Sequence, residues 1–510
     1  MRRGQFIQEV ELLTWPDGTE TVNYRFCHAL YQEVIYARLS DGRRSRWHQH
    51  IGRLLETGYG DQAYTIAAEL SEHFVQGQDA QRAVRYLQLA GEQTVQRGAS
   101  REALVHLKVA QELLTTLSET RDRSQLELAL CMTLGQALTA MHGYAAAEVE
   151  QAYTRARELC QQVGELAQLF PVLMGLCGYY GNRAEHHICY ELAQQLLELA
   201  QRTAEPFLLH QAHTALGGCL LWRGQPAQAR IHLEQAMTYR GMPSHDEPAF
   251  RIGQDLGAFC HAYLARTLWF LGYPDQALAL NREALKAAQE RSHPFGLARA
   301  RSFMASLHLL RREPCLAREQ AEEVLKAARE YELAHWFAIG RLWRAASGTT
   351  PSREAEEGDE LHQALETLRS ASVELGRSWY STLIAEAYQQ SGQTEMGLRV
   401  IAESLATIRR TGERMYEPEM LRLRGELLLS LAAHHDEAEV CFSQALDISR
   451  HQQAKSLELR AATSLSRLWQ QHGKRNEARA LLAPIYEWFT EGEETHDLQE
   501  AKALLEELVV

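Results

Sequence analysis

The sequence predicts an all-α protein, a solenoid of stacked helix pairs. Three observations carry that prediction. Seven small residues stand in register along the chain: Gly217, Ala265, Ala305, Ala346, Ala385, Gly425 and Ser466. Turn residues fall in phase with them. Glycine (33) and proline (12) make up about 9% of the 510 residues, against roughly 12% in an average protein, which is too few for an all-β chain.

The internal spacing is specific. Gly217 is followed by Ala229 and Ala236, Ala265 by Ala277 and Ala284, Ala385 by Gly397 and Ser404, and Ser466 by Ala478 and Ile485. Gly91, Ala103 and Ala110 repeat the pattern earlier. The steps are 12 and then 7 residues. Two antiparallel helices explain them: a small residue admits the second helix, the residue 12 on lies across the turn, and 7 more is two turns along the same face. Gly224-Gln-Pro226, Gly272-Tyr-Pro274, Arg312-Glu-Pro314, Gly392-Gln393 and Gly473-Lys474 supply the turns. This is the tetratricopeptide pattern, small at positions 8, 20 and 27 of each unit. The first-small intervals run 48, 40, 41, 39, 40 and 41, a period of about 40 against the usual 34. The pattern is weakest near 130–200 and at 346–358, where Gly348-Thr-Thr-Pro351 replaces a compact turn. About ten helix pairs are expected over residues 58–493, stacked as a right-handed superhelix in which each unit is buried only against its neighbours, so that stability is nearly one-dimensional.

The ends differ. Asp17-Gly18, followed by alternating Val22, Tyr24 and Phe26, predicts a β-hairpin. Leu30, Val34, Ile35 and Leu39 stripe one following helix, and Trp47, Ile51, Leu54 and Leu55 a second. A lone hairpin is marginal, so it must pack on these helices or on a further module. At the other end, Leu498, Ala501, Leu504, Leu505 and Leu508 predict a capping helix over 494–510, with Asp497 as N-cap and Glu500 completing a capping box, laid over Leu482, Ile485 and Trp488.

Tyr24-Arg-Phe-Cys-His28-Ala-Leu30-Tyr-Gln-Glu-Val34-Ile-Tyr36, with Arg43-Arg44 and His50-Ile-Gly52, resembles the tail of the winged-helix segment of bacterial STAND-type signalling ATPases. Gly272-Tyr-Pro-Asp-Gln-Ala277-Leu, Leu383-Ile-Ala-Glu-Ala-Tyr388, Gln453 to Leu465 and Trp488-Phe-Thr-Glu-Gly492 resemble the tetratricopeptide sensor region of the same proteins. The resemblance departs at 346–360. It implies a truncated winged-helix remnant at 1–57, a sensor array at 58–493 and the cap at 494–510. It also implies a parent in which an ATPase module, and a class III adenylate/guanylate cyclase or DNA-binding output domain, precede this region. These parts are expected upstream of Met1 on a longer chain, or in trans.

The chain itself carries no such chemistry. Its only Gly-Lys pair, Gly473-Lys474, is followed by Arg475, so there is no phosphate-cradling GxxxxGK[ST]. GxGxxG, HExxH and GxSxG are absent from the sequence. No catalytic residue, cofactor or ATP turnover is expected. A net charge of −13 disfavours nucleic acid. The sequence holds no run of about 18 apolar residues, no apolar leader segment and no glycosylation sequon, and its nine cysteines contain no CxxC. A cytoplasmic protein with reduced, mostly core cysteines follows as the expectation.

Three constellations hold candidate site residues. Glu185-His186-His187-Ile-Cys189 and His210-x-x-His213 place ligand-type residues close together, but adjacent histidines diverge and no further ligand completes a site, so no metal is expected. The basic run Arg43-Arg44-x-Arg46-x-His48-x-His50-x-x-Arg53 reads as a DNA-phosphate contact, an interface with the ATPase module or a solvated face. The tetratricopeptide pattern places helix-A positions on a concave groove, and there Trp222, Phe259, Arg266, Trp269, Phe270, Arg299, Trp379 and Arg422 converge. Trp and Arg dominate binding energy elsewhere, so these are the candidate ligand or partner contacts, with repeat-to-repeat packing as the competing role for Trp222 and Trp269. The expected function is a non-catalytic sensor that binds a peptide segment, a partner protein or a small effector.

Overall fold

The computed structural model describes residues 7–164, 168–239, 256–291, 294–348, 361, 363–367, 369, 373–431 and 434–509. The turn expected after Gly348 lies outside them. The chain forms two units, Met1–Ala137 with Arg155–Glu165, and Leu138–Thr154 with Leu166–Val510. The fold is all-α apart from one two-stranded sheet. Among the described residues, no helix is long and apolar enough to cross a membrane.

In the first unit, strands Ile7–Thr14 and Glu20–Phe26 pair antiparallel, with an irregularity between Glu9 and Glu11. Gly18 closes the turn at φ 85°, and the Asp17 carboxylate accepts from the Thr19 amide at 2.8 Å. The hairpin tip docks on the end of helix Asp41–Tyr59: the Asp17 amide donates to the Gly58 carbonyl, and a Cβ on Gly58 would lie 2.1 Å from the Trp15 ring. Leu12, Tyr24, Leu30, Val34, Ile35, Trp47, Ile51 and Leu54 are all exposed. The unit's core forms further along, where Ala67, Leu70 and Phe74 meet Ala83, Tyr86 and Ala90.

The second unit is the helix-pair array. Its pairs include Pro206–Trp222 with Pro226–Thr238, Leu256–Phe270 with Pro274–Arg291, Pro294–Leu310 with Pro314–Glu330, Arg377–Gln390 with Thr394–Thr411, Glu417–Leu429 with His435–Gln452, and Lys455–Gln471 with Arg475–Glu487. One turn design recurs between partners. In Leu221–Gly224, the Gly224 amide donates to the Leu221 carbonyl and the Gln225 amide to Leu220. The same two bonds form at Gly272, Gly392 and Gly473, each with positive φ, as a Schellman cap requires. Arg312 and Ala184 take the glycine's place with φ 59° and 55°. Proline opens several of the helices, where its missing N–H costs nothing.

Small residues set the interhelix distance. Ala229, Ala236, Ala265, Ala277, Ala284, Ala385 and Ala478 are fully buried. A Cβ on Gly217 would lie 2.6 Å from Leu233, and one on Gly425 2.5 Å from Phe442. Gly397 abuts Leu427 and the Ala385 carbonyl. Ala346 is different: it ends helix Ala334–Ala346 half-buried, and Gly340 makes that helix's close approach, to Val324 and Leu325.

The array closes on itself, which neighbour-only packing does not allow for. The Arg414 and Met415 amides donate to the Trp222 carbonyl, and the Glu374 and Leu375 amides to Asn182. Ser456 Oγ donates to the Trp269 carbonyl 187 residues away. Arg460 donates to the Leu310 carbonyl at 2.6 Å. The Glu491 carboxylate accepts from the Asp275 and Gln276 amides. Later helix pairs thus pack on earlier ones, and the expected one-dimensional stability is corrected: buried polar contacts tie repeats several units apart.

The last helix, His496–Val509, buries Leu498, Ala501, Leu504 and Leu508 against Leu482 and Ile485. It begins one residue before the expected cap. Asp497 lies inside its first turn and accepts from Arg460 at 2.9 Å, with Arg312 at 3.3 Å, while Glu500 pairs with Arg312 and Arg467. Ion pairs to other helices have displaced the capping box. Trp488 remains partly exposed against Tyr273 and Lys455.

Candidate functional site

The inner helices of the second unit surround a cavity of about 200 Å³. Each contributes from one face. Pro206–Trp222 supplies Gln211, Thr214 and Trp222; Leu256–Phe270 supplies Phe259, Tyr263 and Arg266; Pro294–Leu310 supplies Arg299, Ser302 and Phe303; Ala334–Ala346 and Arg377–Gln390 supply Trp343, Trp379 and Tyr380. The array's closure makes this face an interior. Trp222, Arg266, Arg299 and Trp379 are buried, and Phe259 is half-buried.

Arg266 is the cavity's distinctive group. Its guanidinium lies 5.4 Å from the Trp222 ring centroid, 5.3 Å from Phe303 and 5.2 Å from Trp379. Nη2 donates to Ser306 Oγ at 2.8 Å. Among the described residues no carboxylate reaches ion-pair distance of it. Ring faces offset part of the cost of burying this charge, by about 0.5–2 kcal/mol each, well short of a paired carboxylate. The remaining wall is polar only at fixed points. Trp343 Nε1 donates to Ser302 at 2.8 Å, and Trp222 Nε1 to the Tyr263 hydroxyl at 3.4 Å. Burial pushes the Tyr263 hydroxyl up to about 12, so it stays neutral at physiological pH. Arg299 stacks over Phe259 at 4.8 Å.

The structure therefore gathers Trp222, Phe259, Arg266, Arg299 and Trp379 around one cavity. The other three candidates lie elsewhere. Trp269 sits under the Arg460 guanidinium at 5.1 Å, and Phe270 packs on Tyr416. Arg422 is gripped by both Glu419 carboxylate oxygens at 2.9 and 3.0 Å, with Arg460 also on Glu419 at 3.2 Å. Burial alone would raise the Glu419 carboxyl; the two guanidiniums overcome it and hold it at about 2. This network is a structural clamp and leaves Arg422 no free face.

His186, His210 and His213 are buried, while His187 is exposed. His210 Nδ1 lies 2.8 Å from the Ala236 carbonyl and His213 Nδ1 3.0 Å from His232 Nδ1. Burial holds His213 down to about 4. His186 is 2% exposed and 3.6 Å from Glu413, on the cavity wall. In the first unit's basic run, Arg44 pairs with Asp41 and His48 bridges Tyr36 and His73.

Cys177, Cys189 and Cys219 line the same cavity with sulfurs within 4.8 Å of one another; the sequence grouped Cys189 with His186 and His187 and not with the other two cysteines. A signal was present. Cys177 precedes Gly217 by one 40-residue period, and Cys189 follows Cys177 by the same 12-residue step that separates Gly217 from Ala229 and Ala265 from Ala277. Hydrogen bonding to Cys177 holds the Cys189 and Cys219 thiols well above the ordinary cysteine range.

No family model matches the chain. It is 20% identical over 448 residues to an uncharacterized protein of Rhizobium meliloti (strain 1021), covering 87% of this chain and 43% of that protein. The chain thus spans less than half the length of this curated relative. Among solved structures, a Rap protein complexed with competence and sporulation factor superposes with a TM-score of 0.53 at 10% identity, over 73% of this chain and 99% of the Rap chain. The APC/C hetero-tetramer Cut9-Hcn1 gives 0.48 at 12% identity, over 94% and 99%. The Rap likeness establishes the tetratricopeptide-like helical-repeat fold.

Proposed function

We propose that the chain is a non-catalytic sensor whose helical array encloses a small effector, an apolar or aromatic molecule bearing one acid group. The observation that carries this is Arg266: a buried cation on the cavity wall, set among the Trp222, Phe303 and Trp379 rings, with no carboxylate at ion-pair distance among the described residues. An anion brought by a ligand would complete its pairing in a low-dielectric site. Size supports the class. A dry cavity of 150 Å³ accepts benzene, so about 200 Å³ suits a ring with a short acid substituent. A folded peptide segment is too large for it. The Rap structure, a fold neighbour crystallised with a bound factor, adds that such arrays can serve recognition.

The output of the sensor is read from resemblance. The exposed apolar face of Leu12, Tyr24, Leu30, Val34 and Trp47 suits a docking contact with a signalling ATPase module, on the same polypeptide or in trans, feeding a cyclase or DNA-binding output. A relative more than twice as long supports a larger parent.

The test is calorimetric titration of the purified chain with a panel of small aromatic and cyclic carboxylic acids, each beside its neutral amide. At least one acid should bind, its amide at least 10-fold more weakly, and Arg266→Met should remove that preference. Absence of any binder, or equal acid affinity in Arg266→Met, contradicts the reading.

A further inference from the structure

The structure assigns a second binding function to the cysteine cluster: we propose that Cys177, Cys189 and Cys219 together take one trivalent thiophilic element of the arsenite class. The site is built by three consecutive helices, Leu169–Asn182, His186–Thr203 and Pro206–Trp222, each giving one cysteine. Their Sγ atoms all lie within 4.8 Å of one another, and Cys177 Sγ is 3.4 Å from Cys189 Sγ. The side chains are 6%, 4% and 5% exposed. All three line the cavity wall, where a small neutral reagent in the cavity would meet them. Three soft donors converging, with no fourth His, Cys, Asp or Glu in the cluster among the described residues, suit a three-coordinate soft centre.

Charge decides the class. Arsenous acid, As(OH)₃, is neutral. Its three As–O bonds break and three As–S bonds form. Each thiol proton leaves with a hydroxide as water, so three waters are released and arsenic stays trivalent. The product, a tris-thiolate, is neutral, and no charge enters a buried wall. Zn²⁺ bound by the same three thiolates leaves one net negative charge and an open fourth position. Cu⁺ leaves two. Burying uncompensated charge is costly, and all three cysteines are at least nine-tenths buried. The assignment is independent of the acid-group reading, because it uses neither Arg266 nor any ligand anion.

Native mass spectrometry of the reduced full chain tests it, with arsenite, Zn²⁺ and Cu⁺ added in separate arms. The expected result is one arsenic per chain, at a mass increase of one arsenic less three hydrogens. Arsenic should outcompete an equal concentration of Zn²⁺. Cys219→Ala should weaken retention at least 10-fold, while Cys441→Ala, a buried cysteine remote from the cluster, should retain it. Cys177→Ala provides a second variant should Cys219→Ala fail to fold. Undiminished arsenic on either cluster variant, no arsenic on the folded chain, preferred Zn²⁺ or Cu⁺, or a Cys177–Cys189 disulfide that persists under reduction would each overturn the assignment.

Discussion

Ala229 and Gln228 are adjacent in one helix and face opposite fates. Ala229 is fully buried beside the Gly217 approach, and Gln228 is exposed. Ala229→Arg forces volume and an unpaired charge into that contact and should cost at least 1–3 kcal/mol. Gln228→Arg should stay within about ±0.5 kcal/mol. Denaturant titrations of the two variants check this, and equal midpoints would show the register to be wrong. At this scale much was legible: a small residue that must admit a neighbouring helix leaves a periodic mark. The sulfur cluster left only a partial one. Cys177 and Cys189 obey the period, but Cys219 joins them from a third helix, two residues past Gly217, and no spacing rule within a helix pair specifies that meeting.

At the scale of elements, the terminal helix His496–Val509 shows which signals survive folding. Its apolar stripe, Leu498 to Leu508, lies against the last pair as its spacing implies, because burying each leucine yields about 1.5–3 kcal/mol before entropy. Its start does not follow the capping-box pattern. Asp497 and Glu500 are drawn to Arg460, Arg312 and Arg467, charges whose positions depend on distant repeats and so are invisible locally. Deleting residues 494–510 therefore removes two things at once, the apolar cover of Leu482 and Ile485 and the carboxylates that pair with Arg460, Arg312 and Arg467. The truncated chain should melt lower and associate in size-exclusion chromatography. A monodisperse truncation with unchanged melting temperature would refute the capping role.

At the scale of the molecule, the second unit is an array that folds back on itself. Local repeats encode a helix pair and its neighbour contact. They do not encode how many pairs complete a turn, so contacts such as Ser456 to Trp269, 187 residues apart, could not be read from the period. The same closure converts an expected open groove into the cavity lined by Trp222, Arg266 and Trp379. It also couples distant repeats. Arg460 alone touches the Leu310 carbonyl, the Trp269 ring, Glu419 and Asp497. Glu413, likewise, accepts from the Gly376 and Ser378 amides and approaches His186.

That closure is the premise of the enclosed site, and amide hydrogen exchange tests it directly. Exchange should be mapped along the full chain for the native sequence and for Arg460→Met, which keeps an unbranched apolar stem but removes every polar contact of the side chain. In a closed array the variant loses protection in helices Leu256–Phe270 and Pro294–Leu310, far back along the sequence, as well as in Glu417–Leu429 and His496–Val509. Loss of protection confined to the sequence neighbours of Arg460, with Leu256–Phe270 and Pro294–Leu310 unchanged, would contradict a closed array and with it the enclosed cavity.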